Sequence, residues 1–430
     1  MPSSRGERRS GAVTSTRVVV SRVARASRPP WRRTRPQTRA FPEEAGPSDR
    51  AGAASLFLAF LRLGLTAFGG PAMIPYLREL VVRRRRWLSE ASFNDGLVLA
   101  QALPGATAMQ CVAYVGLQVR GAWGALVAYI GFGLPAFLLL LALSMAYAAG
   151  RDLAGVVTLL GGLAVIVVAI VAAAAISFGR SALKDGRSVA LAVAALGAYA
   201  WGVSPIVVVL SAGLVGALWS ARSRPPGASR AVERIGLTAR SLVLVVACVA
   251  AGLVVLRLTE PGLFDLAIVM LETNLLAFGG GFAALPVLLH EVVQVHGWMD
   301  QRTFMDGIAL GQVTPGPILI TATFIGYQLF GVLGAVVATV AMFTPSFVLV
   351  VAIAPYVGRF SSSTLYAGFS QAVSASFVGL LGFMAVTFAA DVPWDVSRLI
   401  LAAGAFVALV RGVDVLYVVL AGGALSLIVH

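Results

Sequence analysis

Residues 101–105 read Gln101-Ala102-Leu103-Pro104-Gly105, and residues 312–316 read Gln312-Val313-Thr314-Pro315-Gly316. Working outward, Ala67-Phe68-Gly69-Gly70 precedes the first and Ala277-Phe278-Gly279-Gly280 the second. Between them Trp87 matches Trp298, and Phe93-Asn94-Asp95-Gly96 matches Phe304-Met305-Asp306-Gly307. Downstream, Gly116-Leu117-Gln118 and Gly121 match Gly326-Tyr327-Gln328 and Gly331, and Pro135-Ala136-Phe137 matches Pro345-Ser346-Phe347. The offset stays near 210 residues, with single-residue shifts in each direction. In a very apolar chain, such duplication points to a secondary transporter built from two related halves.

Apolar residues make up 58% of the 430 residues and charged residues 12%. Soluble domains carry about 25% charge. Continuous apolar runs long enough for a ~30 Å hydrocarbon core recur along the chain. They give an all-α polytopic membrane protein, because a β-barrel would alternate in ~10-residue segments. Cys111 and Cys248 have no CxxC spacing and read as unpaired buried thiols.

Residues 1–50 hold twelve arginines against Glu7, Glu43, Glu44 and Asp49, a net of +8. With no apolar core this is not a secretory signal, and its composition predicts disorder. Three readings compete: a cytosolic tail drawn to anionic lipid, a nucleic-acid-binding arm, or upstream sequence from a misassigned start. The third and a passive tail are favoured, and no nucleic-acid partner is expected. Lys184, the sole lysine, follows no glycine-rich loop, so there is no GxxxxGK[ST] phosphate loop, which argues against direct ATP-driven pumping by this chain alone.

The expected organisation is a tail (1–50), a first repeat (51–220), a basic linker with an extra transmembrane helix (221–258) and a second repeat (259–430). Each repeat reads as segments A to E. In the first these are Ala53–Pro71, Phe93–Leu117, Ala122–Ala149, Leu153–Phe178 and a hairpin Val189–Trp219. Basic residues crowd the A–B loop (Arg78, Arg83 to Arg86), the D–E loop (Arg180, Lys184, Arg187) and the linker; the matching second-half loops lack this bias. By the positive-inside rule the halves are inverted, with the extra helix supplying the odd crossing. The basic tail and loops all fall on the cytoplasmic side if A and B are discontinuous or re-entrant, broken at Phe68-Gly69-Gly70-Pro71 and at Leu103-Pro104-Gly105; the alternative is a fully spanning A with an external tail.

Broken backbone at membrane depth must line a cavity or be buried in protein. Helices restarting after a break present free N–H groups and a positive dipole end, an anion site. The candidate binding residues are therefore Phe68, Gly69, Gly70, Pro71, Gln101, Pro104 and Gly105, with Phe278, Gly279, Gly280, Gly281, Gln312, Thr314, Pro315, Gly316 and Pro317. The competing reading of these breaks is packing kinks. Thr107, Gln110, Thr321 and Thr323 serve as hydrogen-bond donors or as interhelical glue. Arg62, inside segment A, helps hold the anion, while its counterpart Glu272 pairs with it or carries a coupling proton; alternatively each reaches its nearer interface. Asp95 and Asp306 begin segment B and its second-half counterpart B′ (Phe304–Gln328), as helix caps or coupling groups. No metal-ligand pattern or cofactor motif occurs.

FGGP, a basic stretch ending in Trp-Leu, Q-x-L-P-G, G-L-Q-x-x-G and a Leu-Pro segment together resemble the chromate ion transporter family. The resemblance covers roughly residues 55–430, in the long two-domain form with antiparallel halves. It implies export of chromate, driven by proton gradient or membrane potential, with sulfate as a mimic. Two departures stand out: Pro104-Gly105-Ala106 where the family commonly has Pro-Gly-Pro, and Ala72-Met73-Ile74-Pro75 where a histidine often follows FGGP. The expected protein is a multi-pass inner-membrane oxyanion exporter working by alternating access, not an enzyme, in lipid and possible as a homodimer. The alternatives are a carrier of another inorganic or small organic anion such as sulfate, and a membrane-embedded non-transport protein. Neither HExxH nor GxSxG supports an enzyme.

Overall fold

The computed structural model describes residues 52–66, 73–150, 153–221, 239–356 and 363–429. The tail and the first-half break Phe68–Pro71 lie outside the described residues. The described residues are helical, without strands. In the first half the helices are α1 Ala53–Thr66, α2 Met73–Arg78, α3 Glu90–Ala102, α4 Thr107–Gly150, α5 Ala154–Ala182, α6 Gly186–Ala200 and α7 Pro205–Ser220. The linker helix is α8 Ala239–Thr259. The second half repeats the series as α9 Pro261–Leu276, α10 Leu285–Leu289, α11 Gln301–Val313, α12 Thr321–Ile353, α13 Thr364–Ala390, α14 Val396–Val410 and α15 Val415–Val429. Five stretches are long and apolar enough to cross a membrane: Thr107–Gly150, Gly155–Ala182, Leu242–Thr259, Ile318–Ile353 and Thr364–Ala390.

Helices α3, α9 and α11 are too short to cross: 13 residues of α3 rise only about 20 Å. Segments B and B′ are re-entrant. A Cβ on Gly96 of α3 would strike the Tyr114 ring of α4, and one on Gly307 of α11 would strike Phe324 of α12, so each short helix lies beside the helix that follows it. The tips of these hairpins are Pro104-Gly105 and Pro315-Gly316, with Gly105 at φ +117° and Gly316 at φ +120°. Both α3 and α11 start earlier than the sequence suggests. Their caps are Ser89, accepting the Ser92 amide at 3.1 Å, and Asp300, accepting the Thr303 amide at 2.6 Å. Asp95 and Asp306 are therefore second-turn residues, not caps, because small polar residues upstream already bind the free N–H groups.

The α4 helix doubles back at Arg120-Gly121, and α12 at Phe330-Gly331. Gly121 has φ +66° and Gly331 φ +59°, values that glycine adopts without strain. At the reversal Gly116 faces the backbone of Gly124, and Gly326 that of Gly334. Thr323 and Thr339 share a 2.7 Å hydrogen bond across the second reversal; a straight helix would hold them about 24 Å apart. The glycines of the sequence repeat are thus the close approaches of a helical hairpin. The second arms, 122–150 and 332–353, then cross the molecule.

Helix directions establish the inversion. Along α13, Gly379 meets Ala192 and Leu196 of α6, and Tyr199 stacks on Phe383 at 5.0 Å, so α6 and α13 run parallel. Gly179, near the end of α5, meets Val378 at the same level, and the three-residue turn 183–185 returns the chain as α6, so α5 runs opposite to α6 and to its own counterpart α13. The contacts are reciprocal: Gly216 of α7 abuts Gly368 of α13, and at the matching positions Ser426 of α15 donates to the Thr158 carbonyl of α5 at 3.0 Å. Arg187 at the start of α6 stacks over Trp219 at the end of α7 at 5.5 Å, so the α5–α6 turn and the end of α7 share one face. α8 stands between the halves, has no counterpart in either repeat and is long and apolar enough to supply the odd crossing.

The helices group into two bundles, each drawing on both halves. One contains α1–α4 with α9–α12, joined where α4 packs on α12 and Tyr129 donates to the Phe343 carbonyl at 2.8 Å. The other contains α5–α7 with α13–α15. There α13 lies against the α6–α7 hairpin and α5 against α14–α15, so neither half closes its own core.

Candidate functional site

The three breaks within the described residues converge. Each tip approaches the crossing helix of the other half. A Cβ on Gly105 would meet Asn274 Oδ1 at 3.1 Å and collide with Ser346 Oγ, and one on Gly316 would meet Ala136 Cβ at 2.8 Å. Ser346 and Ala136 are repeat counterparts. The Gly105 amide donates to the Ala277 carbonyl at 2.9 Å, tying the first tip to the second-half break.

Between the bundles lies a cavity of about 310 Å3. Gln101, Ala106 and Thr107 of the first half line it, with Gly279, Gly280, Gly281, Gln312, Thr314, Gly316 and Pro317 of the second. Its described lining carries no charged side chain. Three helical starts border it: Thr107 and Ala108 open α4, Gly281 and Phe282 open the 3-10 turn Gly281–Ala284 ahead of α10, and Ile318 opens the 3-10 turn Ile318–Ile320 ahead of α12. Free N–H groups at such starts carry partial positive charge, roughly +0.5 of a charge at the start of a full α-helix such as α4. Gly279 and Gly280 have φ +89° and +114°, and a Cβ on Gly280 would meet nothing within 4 Å. Gln312 Nε2 is buried with no hydrogen-bond partner among the described residues. Thr314 is turned back, donating to the Gly311 carbonyl at 2.8 Å. A tetrahedral oxyanion needs roughly four water volumes, about 120 Å3, so the cavity holds one with water to spare.

The cavity thus gathers Gln101, Gly279, Gly280, Gly281, Gln312, Thr314, Gly316 and Pro317. Pro104, Gly105 and Pro315 shape the tips, and Phe278 packs on Phe369 at 5.4 Å, outside the lining. Arg62 and Glu272 are both exposed on α1 and α9, do not line the cavity, and form no ion pair with one another among the described residues. Each is on the outer side of a short helix whose inner side (Phe60, Met270) fills the core. Thr321 donates to the Ile318 carbonyl of its own turn, and Thr323 pairs with Thr339 to join the two arms of α12. Gln110 donates to the Pro104 carbonyl at 2.6 Å and so braces the tip.

The two aspartates differ. Asp95 is exposed, whereas Asp306 is 3% exposed. Tyr147 of the first half donates to Asp306 Oδ2 at 3.1 Å, and Arg302 Nε stands 3.7 Å from Oδ1. The sequence reading missed Phe178, Val415 and Leu416, which line the cavity from the second bundle. Phe178 has a repeat counterpart in Phe388, a signal that extending the alignment past residue 148 exposes.

A profile of chromate transporters matches residues 54–217 and again residues 264–427. The chain is 37% identical over 374 residues to an uncharacterized transporter of Methanocaldococcus jannaschii, covering 86% of this chain and 92% of that protein. It is 33% identical to a chromate transport protein of Pseudomonas aeruginosa over 78% of this chain and 80% of that one. With a chromate transport protein of Cupriavidus metallidurans it shares 30% identity, over 81% and 85%. No solved structure matches. A duplicated profile over inverted, re-entrant halves places this chain in the chromate transporter family, in its two-domain form.

Proposed function

We propose that this protein exports chromate across the cell membrane as a secondary transporter, with its basic turns on the cytoplasmic side. The observation that carries the reading is the uncharged cavity between the bundles, where three helical starts and the paired Gln101 and Gln312 converge. Backbone N–H groups supply positive potential without a fixed cation, so a dianion is held yet released. The glutamine amides donate to its oxygens. Gly280 lets the backbone approach closely. Sulfate shares this shape and charge and competes.

Asp306 is the group best placed to couple transport to protons. A buried carboxylate at membrane depth is costly when charged, and Tyr147 and Arg302 give it one partner from each half. The two bundles alternate access to the cavity. Everted vesicles test the function: labelled chromate should accumulate under a proton gradient, and excess sulfate should reduce it. Absence of gradient-dependent accumulation rules out chromate export.

A further inference from the structure

The two copies of the repeat have the same local structure but a different standing against the second bundle. In the second half, Pro286 and Val287 of α10 are buried, and Val287 shares a cluster with Tyr199, Val209 and Phe377 of α6, α7 and α13. Their counterparts Pro75 and Tyr76 of α2 are exposed, Tyr76 at 57%. The inner face is buried in both copies: Leu77 and Val81 match Leu288 and Val292. The same contrast holds one helix on. Asp306 and Ala309 of α11 are buried where α11 meets α5 and α15. Their counterparts on α3, Asp95 and Val98, are exposed, Val98 at 47%. Asp95 in this row favours water over lipid on the uncovered face. Principal contacts between the bundles run through α10 and α11, second-half elements.

We infer that transport exchanges which copy of the repeat is docked on the six-helix bundle of α5–α7 and α13–α15. This rests on the transporter reading and specifies its moving contact. Because the scaffold is itself built from inverted copies, it offers each docked element a second, equivalent seat. Interchanging the two repeats puts α2 on α5 and α15, and α3 on α7 and α13. Tyr76 then takes against Val419 the place that Val287 holds against Val209. α10 and α11 are released, and the cavity, bounded by both copies, opens to the other face. α4 and α12, which pack on each other inside the first bundle, carry the two copies together, so one copy docks as the other leaves.

The test uses the full chain in vesicles of both orientations, with Cys111 and Cys248 replaced by alanine. A membrane-impermeant maleimide labels single cysteines at Tyr76, Val98, Val287 or Ala309. In the state described, Tyr76→Cys and Val98→Cys label and the other two are protected. Reversing the proton gradient should lower labelling of the first pair and raise that of the second by about tenfold. A Tyr76→Cys/Val419→Cys disulfide should form only in the second state and stop cycling until reduced. Labelling and cross-linking are read without substrate, so they stand apart from chromate uptake. Val287→Cys and Ala309→Cys remaining protected under every gradient, or all four sites moving together, would overturn the exchange. If Val287→Cys does not fold, Ala309→Cys carries the measurement.

Discussion

The Gly105 amide and the Ala277 carbonyl, from opposite halves, meet at 2.9 Å. A hairpin tip of one repeat thereby closes the broken helix of the other. Both groups would otherwise be unpaired at membrane depth, where each costs several kcal/mol. Binding site and inter-repeat joint are the same piece of backbone.

Substitution of that glycine is the sharpest test of the tip. Gly105→Ala adds a Cβ at φ +117° that collides with Ser346. Strain and overpacking together should cost roughly 2–5 kcal/mol. Gly404→Ala, inside α14 with nothing within 4 Å of the added Cβ, should not destabilise. Thermal stability in detergent compares them; equal losses would refute the tip's special role.

The cavity predicts a ranking among polar residues. Gln312→Leu and Gln101→Leu should each raise the KM for chromate about tenfold, the equivalent of one lost hydrogen bond to an ion. Arg62→Gln, away from the cavity, should change it by less than about twofold. Initial uptake rates across chromate concentrations decide the order, and a larger effect at Arg62 would return the anion to α1.

Asp306 and Asp95 should part company in coupling. Asp306→Asn keeps the shape and can still accept from Tyr147, but carries no exchangeable carboxyl proton. Gradient-driven uptake should vanish while chromate exchange across vesicles at equal pH persists. Asp95→Asn should leave both intact. Gradient-driven uptake surviving in Asp306→Asn would remove it as the coupling group.

Stability should depend on the contact that interlocks the halves. Gly216→Val pushes a side chain into the Gly368 backbone and should cost roughly 2–4 kcal/mol. Gly197→Ala, on α6 with nothing within 4 Å, should gain about 0.5–1 kcal/mol through helix propensity. Melting temperatures of the two variants should move in opposite directions.

The sequence by itself determined the number of repeats, their inversion and the location of the breaks. Glycines at 96, 116, 121 and 124 recur at 307, 326, 331 and 334 because backbone there approaches a ring, another backbone or a left-handed turn, and no other residue fits. Loop charge recorded the inversion because orientation in a bilayer is an electrostatic choice made locally. Only the tertiary structure decided what the breaks face. Arg62 and Glu272 looked central because they interrupt apolar runs, yet short helices leave one side uncovered and both residues lie there. Asp95 and Asp306 are matched in sequence and opposite in burial. Burial depends on which bundle a copy of the repeat is docked against, and a docking state is a property of packing between distant segments that no local pattern encodes.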